Sequence, residues 1–301
     1  MSDERPLPFF YQFISGAVAG ISEILVMYPL DVVKTRMQLQ VSTPSVNNTS
    51  THYTGVVDCF QKIIKKEGFS RLYKGITSPI LMEAPKRATK FACNDEFQKF
   101  YKTAFGSDKL TQSLSILSGA SAGVIEAFVV VPFELVKIRL QDANSAYRNP
   151  IDCVSKIIKN EGLLAMYNGL ESTMWRHTVW NAGYFGVIFQ VRSLLPKPTG
   201  KNEQTRNNLI AGTIGGTFGS LLSTPFDVVK SRIQNTVSKP GEVRKYNWSV
   251  PSIATIYKEE GFAALYKGFV PKVLRLGPGG GIMLVVFTAC MDFFRGVHYK
   301  D

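Results

Sequence analysis

The chain has 301 residues, 45% of them hydrophobic, and a formal charge of +12, with Lys and Arg scattered rather than gathered in a tail. That spread favours attraction to anionic lipids or anionic solutes over a nucleic-acid footprint. The four cysteines (Cys59, Cys93, Cys153, Cys290) lack CxxC spacing and the three histidines (His52, His177, His298) lack an HExxH pair, which argues against a metal site or a disulfide framework.

Residues 1–8 form a short tail with neither the basic-then-apolar layout of a signal peptide nor the acid-poor look of a transit peptide, so any organelle targeting is expected to be internal. Residues 9–30 then contain a single charged side chain, Glu23; residues 110–133 contain one, Glu126; residues 207–226 and 276–291 contain none. About 20 such residues cross the hydrocarbon of a bilayer. Two further candidates, 72–100 and 167–194, carry charges within them, which suits helices that face an aqueous interior.

Internal repetition organises the chain. The segment Pro29-Leu-Asp-Val-Val-Lys-Thr-Arg-Met-Gln38 recurs as Pro132-Phe-Glu-Leu-Val-Lys-Ile-Arg-Leu-Gln141 and as Pro225-Phe-Asp-Val-Val-Lys-Ser-Arg-Ile-Gln234, at steps of 103 and 93 residues. A second signature follows each copy: Glu67-Gly-Phe-Ser-Arg-Leu-Tyr-Lys-Gly75, Glu161-Gly-Leu-Leu-Ala-Met-Tyr-Asn-Gly169 and Glu260-Gly-Phe-Ala-Ala-Leu-Tyr-Lys-Gly268. Upstream lie glycine pairs four apart, Gly16/Gly20, Gly119/Gly123 and Gly212/Gly216, read as close helix approaches inside lipid. Residues 41–54, rich in Ser, Thr and Asn, read as a flexible loop. Each repeat is an apolar helix passing a proline, an amphipathic surface segment (56–66, 151–160, 249–259) and a more polar second helix. The expected fold is an all-α membrane protein of six transmembrane helices in three pseudo-symmetric two-helix repeats, residues 9–104, 105–198 and 199–301. A soluble helical-repeat scaffold is disfavoured, because 207–226 is uncharged on every face.

Within the first signature, Asp31, Lys34 and Gln38 are spaced by three and four residues and share one helical face; Glu134, Lys137 and Gln141 repeat that stripe, as do Asp227, Lys230 and Gln234. The proline ahead of each removes a backbone hydrogen bond and bends the helix, so three bent ends can converge and bring acids to neighbouring bases. Three such motifs in register with three second signatures resemble the mitochondrial carrier family over essentially the whole chain. The resemblance implies the pairs Asp31–Lys137, Glu134–Lys230 and Asp227–Lys34, braced by the glutamines and closing the matrix side, where the surface helices also lie. Permanent braces of a static bundle are the alternative for these pairs. The family also places an acid and a base near the end of each even-numbered spanning helix. Here Asp95, Phe189 and Asp292 hold the acid positions and Gln98, Arg192 and Arg295 the basic ones. Asp95–Arg192 is then the one full ion pair, which implies a weak cytoplasmic gate.

Charges inside spanning helices are costly and mark functional sites or wet cavities. Glu83, Arg87, Lys90 and Asn94 recur along one stripe of the second spanning helix, Arg176 and His177 lie midway along the fourth, and Arg275 opens the sixth ahead of Gly277-Pro-Gly-Gly-Gly281. Beyond the charge Glu83 neutralises, three Arg or Lys remain, a complement suited to a dicarboxylate. Helix packing is the alternative for Arg176 and His177. In the family, Arg followed by His at this place resembles keto-acid and carboxylate carriers, with Trp180 walling the site. Together with Met82-Glu-Ala-Pro-Lys-Arg-Ala-Thr-Lys90, the likeness is to carriers that exchange 2-oxodicarboxylates, 2-oxoadipate and 2-oxoglutarate, across the mitochondrial inner membrane; citrate or malate is the alternative cargo. For Glu23 and Glu126, proton coupling, cavity polarity and pairing with the bases all stay open.

Each second signature lies at helix starts, where free N–H groups and the helix dipole favour phosphate. Gly68, Lys74, Gly75, Gly162, Gly169, Gly261, Lys267 and Gly268 are the expected lipid contacts, with cardiolipin as a structural lipid; Asn168 replaces the lysine in the second copy. No nucleophile triad, paired catalytic carboxylates or phosphate loop is present, so neither an enzyme nor a bound cofactor is expected, and a monomer is the expected working unit.

Overall fold

The computed structural model describes residues 7–41, 52–106, 112–196, 200–237 and 244–298. Among them the regular elements are all helical: α1 Phe9–Leu39, α2 Val56–Glu67, α3 Thr77–Ala104, α4 Gln112–Gln141, α5 Pro150–Glu161, α6 Leu170–Leu194, α7 Lys201–Asn235, α8 Ser249–Glu260 and α9 Phe269–His298, with 3₁₀ turns at Phe69–Tyr73, Leu163–Tyr167 and Phe262–Tyr266. The prolines Pro29, Pro132 and Pro225 sit inside α1, α4 and α7, which run on for roughly three turns beyond them. Ahead of Pro225, Thr224 Oγ1 donates to the Ser220 carbonyl at 2.6 Å, a side-chain bond that such a turn accommodates.

The repeated Glu-Gly and aromatic-X-Gly signatures punctuate the chain for a conformational reason. α2, α5 and α8 end on Glu67, Glu161 and Glu260, and the next residues, Gly68, Gly162 and Gly261, take φ of 87°, 86° and 82°. After each 3₁₀ turn, Gly75, Gly169 and Gly268 take φ of 84°, 81° and 82° and release the chain into α3, α6 and α9. Glycine enters this left-handed region without the Cβ penalty. At α5, Asn149 accepts from the Asp152 N–H at 2.8 Å with Pro150 in the first helical position, a sequence-encoded start.

The six long helices close a ring. α3 lies mainly against α4, α6 against α7 and α9 against α1, so the largest seams join different repeats, and lesser contacts link α1–α3, α4–α6 and α7–α9. At one end, three like clusters form the buried core: Val32, Val33, Cys59, Ile63 and Leu72; Leu135, Val136, Cys153, Ile157 and Met166; Val228, Val229, Ile233, Ile256 and Leu265. Each packs the end of an odd-numbered spanning helix on its surface helix and 3₁₀ turn. Elsewhere Leu25, Val26, Leu81, Phe128, Leu221 and Val285 point outward and exposed, as expected of lipid-facing positions.

Three stretches, Phe9–Leu39, Leu117–Gln141 and Phe262–His298, are long and apolar enough by themselves to cross a membrane. α3 and α6 fall short because of the charged and polar residues along them, and α7 because Gly, Ser, Thr and Asn dilute it. Two local expectations are corrected. Gly119, Gly123 and Gly212 have open space where a Cβ would stand, and Gly16 and Gly20 make room for the Arg87 and Glu83 side chains rather than for another backbone. The close backbone approach is instead between α6 and α7, where a Cβ on Gly183 would meet Gly219 Cα at 3.0 Å and one on Gly219 would meet the Trp180 carbonyl at 2.8 Å. Residues 42–51 of the expected loop lie outside the described residues, but its end is pinned: Gln40 accepts from the Tyr53 N–H at 2.7 Å and donates back to its carbonyl at 3.2 Å. Arg275 lies about two turns into α9, which starts at Phe269, and does not open it.

Candidate functional site

The stripes on α1, α4 and α7 meet at the core end of the ring. Lys137 Nζ donates to Asp31 Oδ2 at 2.7 Å, Lys230 Nζ to Glu134 Oε2 at 2.5 Å, and Lys34 Nζ stands 3.6 Å from Asp227 Oδ2. The structure thus brings together the residues of all three expected pairs. The glutamines differ from the expectation. Gln38 accepts from Ser231 Oγ at 2.8 Å, while the buried side-chain amide of Gln234 has no hydrogen-bond partner among the described residues. None of the three bonds to a pair. Gln38 and Gln234 pack instead on Gly268 and Gly169 of a neighbouring repeat, where a Cβ would meet their Cγ at 2.9 Å.

A second threefold network was not foreseen. Arg36 holds both oxygens of Glu67 at 3.0 and 2.8 Å, Arg139 grips Glu161 and Arg232 grips Glu260 in the same two-pronged way, and Tyr53, Tyr147 and Tyr246 each accept from the corresponding guanidinium. Each ties the first signature to the second. The signal was present: the arginine and the glutamate recur at fixed places in the two signatures. Arg139 also donates to the Gln234 and Thr236 carbonyls and Arg232 to those of Gln38 and Gln40, capping the end of a neighbouring helix, whereas Arg36 Nε is buried without such a partner. Burial alone would raise the Glu67 carboxyl, but the Arg36 hydrogen bond and charge outweigh it and hold it below its usual range. Burial pushes the neighbouring Cys59 and Cys153 thiols up to about 12, which leaves them unreactive.

The interior cations lie next to the closed end. Arg275 donates to Asp31 Oδ1 at 2.5 Å and to Glu23 Oε1 at 2.9 Å, so Glu23 is a partner of the bases. Arg176 donates to His177 Nε2 at 2.8 Å, and its Nε stands 3.7 Å from Asp227. Lys272, absent from the sequence reading, donates to Asp227 Oδ2 at 2.5 Å and to Ser223 Oγ at 2.8 Å. Arg87 donates to buried Glu83 at 2.6 Å, with Lys86 3.5 Å away. Trp180 stacks on Tyr184 with centroids 5.0 Å apart and rests on Gly219. Lys90 falls within α3, but its side chain lies outside the described residues. Glu126 is buried on α4. Chemically this is a lining of guanidinium forks and ammonium groups, with carboxylates as their present partners, suited to holding an exchangeable anion.

The mitochondrial carrier protein family model matches residues 5–105, 108–199 and 201–298. The chain belongs to the mitochondrial carrier family. Its relatives include mitochondrial 2-oxodicarboxylate carrier 2 of Saccharomyces cerevisiae, 64% identical over 301 residues (99% of this chain, 98% of that protein). Mitochondrial citrate transporter D of Aspergillus niger is 68% identical over 298 residues (98% and 97%). The mitochondrial 2-oxodicarboxylate carrier of Homo sapiens is 41% identical over 282 residues (92% and 91%). The chain is a multi-pass protein of the mitochondrial inner membrane built from three repeats.

At the opposite end of this mitochondrial carrier the expected Asp95–Arg192 pair is not formed. Asp95 pairs within its own helix with Lys99 at 3.0 Å, Arg192 donates to Asn208 at 3.4 Å, and Arg295 to Asp292 at 3.4 Å. Gln98 is half-buried on α3, and the Phe189 side chain lies outside the described residues. The reason is local, since each charge meets a nearer partner on its own helix or, for Arg192, on the adjoining α7. Among the expected lipid contacts, Gly68, Gly162 and Gly261 face open space, whereas Gly75, Gly169 and Gly268 are packed by Leu140, Gln234 and Gln38. The Lys267 ammonium turns inward to the Gln40 carbonyl at 2.8 Å. Burial holds both Lys74 and Lys267 below the usual lysine range.

Proposed function

We propose that this carrier exchanges 2-oxodicarboxylates, 2-oxoglutarate and 2-oxoadipate, across the inner membrane by alternating access. The observation that carries the reading is that Arg176 and Arg275 reach from α6 and α9 to the acids of the closed end, Asp227 and Asp31. Guanidinium forks suit carboxylates, and a substrate carboxylate competes for the same forks. Arg87, Lys90, His177 and Trp180 complete the lining. Relatives named as 2-oxodicarboxylate carriers, from 64% identity in yeast to 41% in human, support the cargo. The pairs Asp31–Lys137, Glu134–Lys230 and Asp227–Lys34, packed over Gln38, Gln141 and Gln234, act as the matrix gate; Asp95, Gln98, Arg192, Asp292 and Arg295 form a weaker cytoplasmic one. Transport is a shift of population between two closed ends, with no bond made or broken, so the protein is a transporter and not an enzyme. The units 9–104, 105–198 and 199–301 work as one monomer, with cardiolipin phosphates at the open glycines Gly68, Gly162 and Gly261.

The test is uptake of labelled 2-oxoglutarate and 2-oxoadipate into liposomes holding the purified chain, preloaded with 2-oxoglutarate, citrate, ADP or glutamate, beside Arg176→Ala. Exchange against internal oxodicarboxylate, lost in Arg176→Ala, is the expected result. The second reading is citrate, favoured by the 68% identical citrate transporter; exchange driven by citrate alone would establish it in place of the first.

A further inference from the structure

The charges at the closed end do not balance evenly. Asp31 and Glu23 together face Lys137 and Arg275, two acids against two bases, and Glu134 faces Lys230. Asp227 differs. Within 4 Å of its carboxylate lie three cations from three helices: Lys272 of α9 at 2.5 Å, Lys34 of α1 at 3.6 Å and Arg176 of α6 at 3.7 Å. One negative charge neutralises one of them, so this corner holds two unmatched positive charges among the described residues. Asp227 is 4% exposed and Lys272 mostly buried, where uncompensated charge is costly and attracts a counter-ion. Arg176 Nε is buried and makes no hydrogen bond among the described residues. Lys272 uses two of its three ammonium protons, on Asp227 and Ser223, and keeps one for a further acceptor.

The repeat register makes the same point independently. Four residues after the glycine of the second signature, the first copy has Pro79, the second Thr173 and the third Lys272. A gate built on threefold symmetry has no use for a cation in one copy alone, whereas an asymmetric solute does.

Resting on the reading of this chain as a dicarboxylate carrier, we propose that Lys272 is a substrate-anchoring residue: with Arg176 it takes one carboxylate of the dianion in exchange for Asp227, so that seating the substrate releases a gate acid. Ser223 positions the ammonium for that exchange. A dianion matches the two unmatched charges, and a monoanion does not.

The experiment is homo-exchange of 2-oxoglutarate in liposomes by the full chain and by Lys272→Gln, Lys272→Arg and Ser223→Ala, with KM and maximal rate read separately. Loss of one charge-assisted contact is expected to raise KM about tenfold in Lys272→Gln, with the maximal rate kept within about twofold. Lys272→Arg is expected to recover most of that loss. A brace without contact to substrate would instead lower the maximal rate and the melting temperature at constant KM, and an unchanged KM in Lys272→Gln overturns the proposal. Should Lys272→Gln fail to assemble, Ser223→Ala decides with every charge in place: a rise in KM of about threefold supports the anchor, and an unchanged KM overturns it. If the unaltered chain exchanges neither 2-oxoglutarate nor citrate, the carrier reading falls, and this inference with it.

Discussion

A single arginine shows how much one side chain holds at the closed end. Arg139 is buried, grips Glu161 with two hydrogen bonds and also donates to two carbonyls at the end of α7. Replacing it by Leu strands a buried carboxylate and is expected to cost about 3–5 kcal/mol. Thermal unfolding of the detergent-purified protein measures the loss, and an unchanged midpoint would mean that Arg244, 4.0 Å from Glu161, has taken over. Glu67 supplies a pH dependence. Its folded-state carboxyl is held below the ordinary range, so its contribution is complete above the unfolded carboxylate pKa and is lost as pH falls through the lower folded value. The melting temperature of the native chain should therefore drop more steeply on acidification than that of Glu67→Gln; parallel curves would refute this. The stripe Asp31, Lys34, Gln38 was legible because helix periodicity puts such residues on one face. The Arg36–Glu67 clamp left only the threefold recurrence of its two residues as a signal, which does not pair them: they are 31 residues apart and the packing of α2 on α1 brings them together. Lys272 escaped for the opposite reason, since a search for what the repeats share passes over what one repeat alone possesses.

At the scale of elements, glycines that look equivalent in sequence have different work. Gly162 needs a positive φ but faces open space, whereas Gly169 needs the same φ and is also pressed by Gln234. Gly162→Ala is expected to cost about 1–2 kcal/mol for the left-handed backbone alone, and Gly169→Ala distinctly more. Equal losses in melting temperature would argue against the packing role. The spanning helices supply a matching contrast. Gly123→Ala, with open space at its Cβ, should be nearly neutral, while Gly219→Ala, which meets the Trp180 carbonyl at 2.8 Å, should loosen the α6–α7 seam and lower the melting temperature by several degrees, on the order of 1–3 kcal/mol. The six-helix plan and the surface helices were readable from hydrophobic runs and punctuation. Which glycines seat a neighbouring backbone was not, because a four-residue spacing says that two small residues share a face and nothing about what lies opposite.

Across the whole molecule the ring is tied by ion pairs between helices at the end carrying Asp31, Glu134 and Asp227, whereas Asp95 and Asp292 at the other end pair within their own helices. Among the three pairs proposed as a gate, Glu134–Lys230 is the one in which no further cation stands within contact distance among the described residues, so it is the clean place to test gating. Glu134→Lys and Lys230→Glu are each expected to lower exchange about tenfold or more by placing like charges together, and the double reversal to restore most of it. A double variant as impaired as either single one would show that the pair does not act as a reversible latch. The seam between α9 and α1 has a further consequence, for the order in which the protein can be assembled. Arg275 finds Glu23 across 252 residues of chain, so a carboxylate that enters with the first helix waits for a counter-ion that enters with the last, whereas Asp31 already meets Lys137 of α4. Until the sixth spanning helix arrives, the half-built ring leaves Glu23 without its described partner. The final helix is therefore the keystone of assembly, and a nascent chain halted before it would be recognisable by that one acid, still open to proton or reagent.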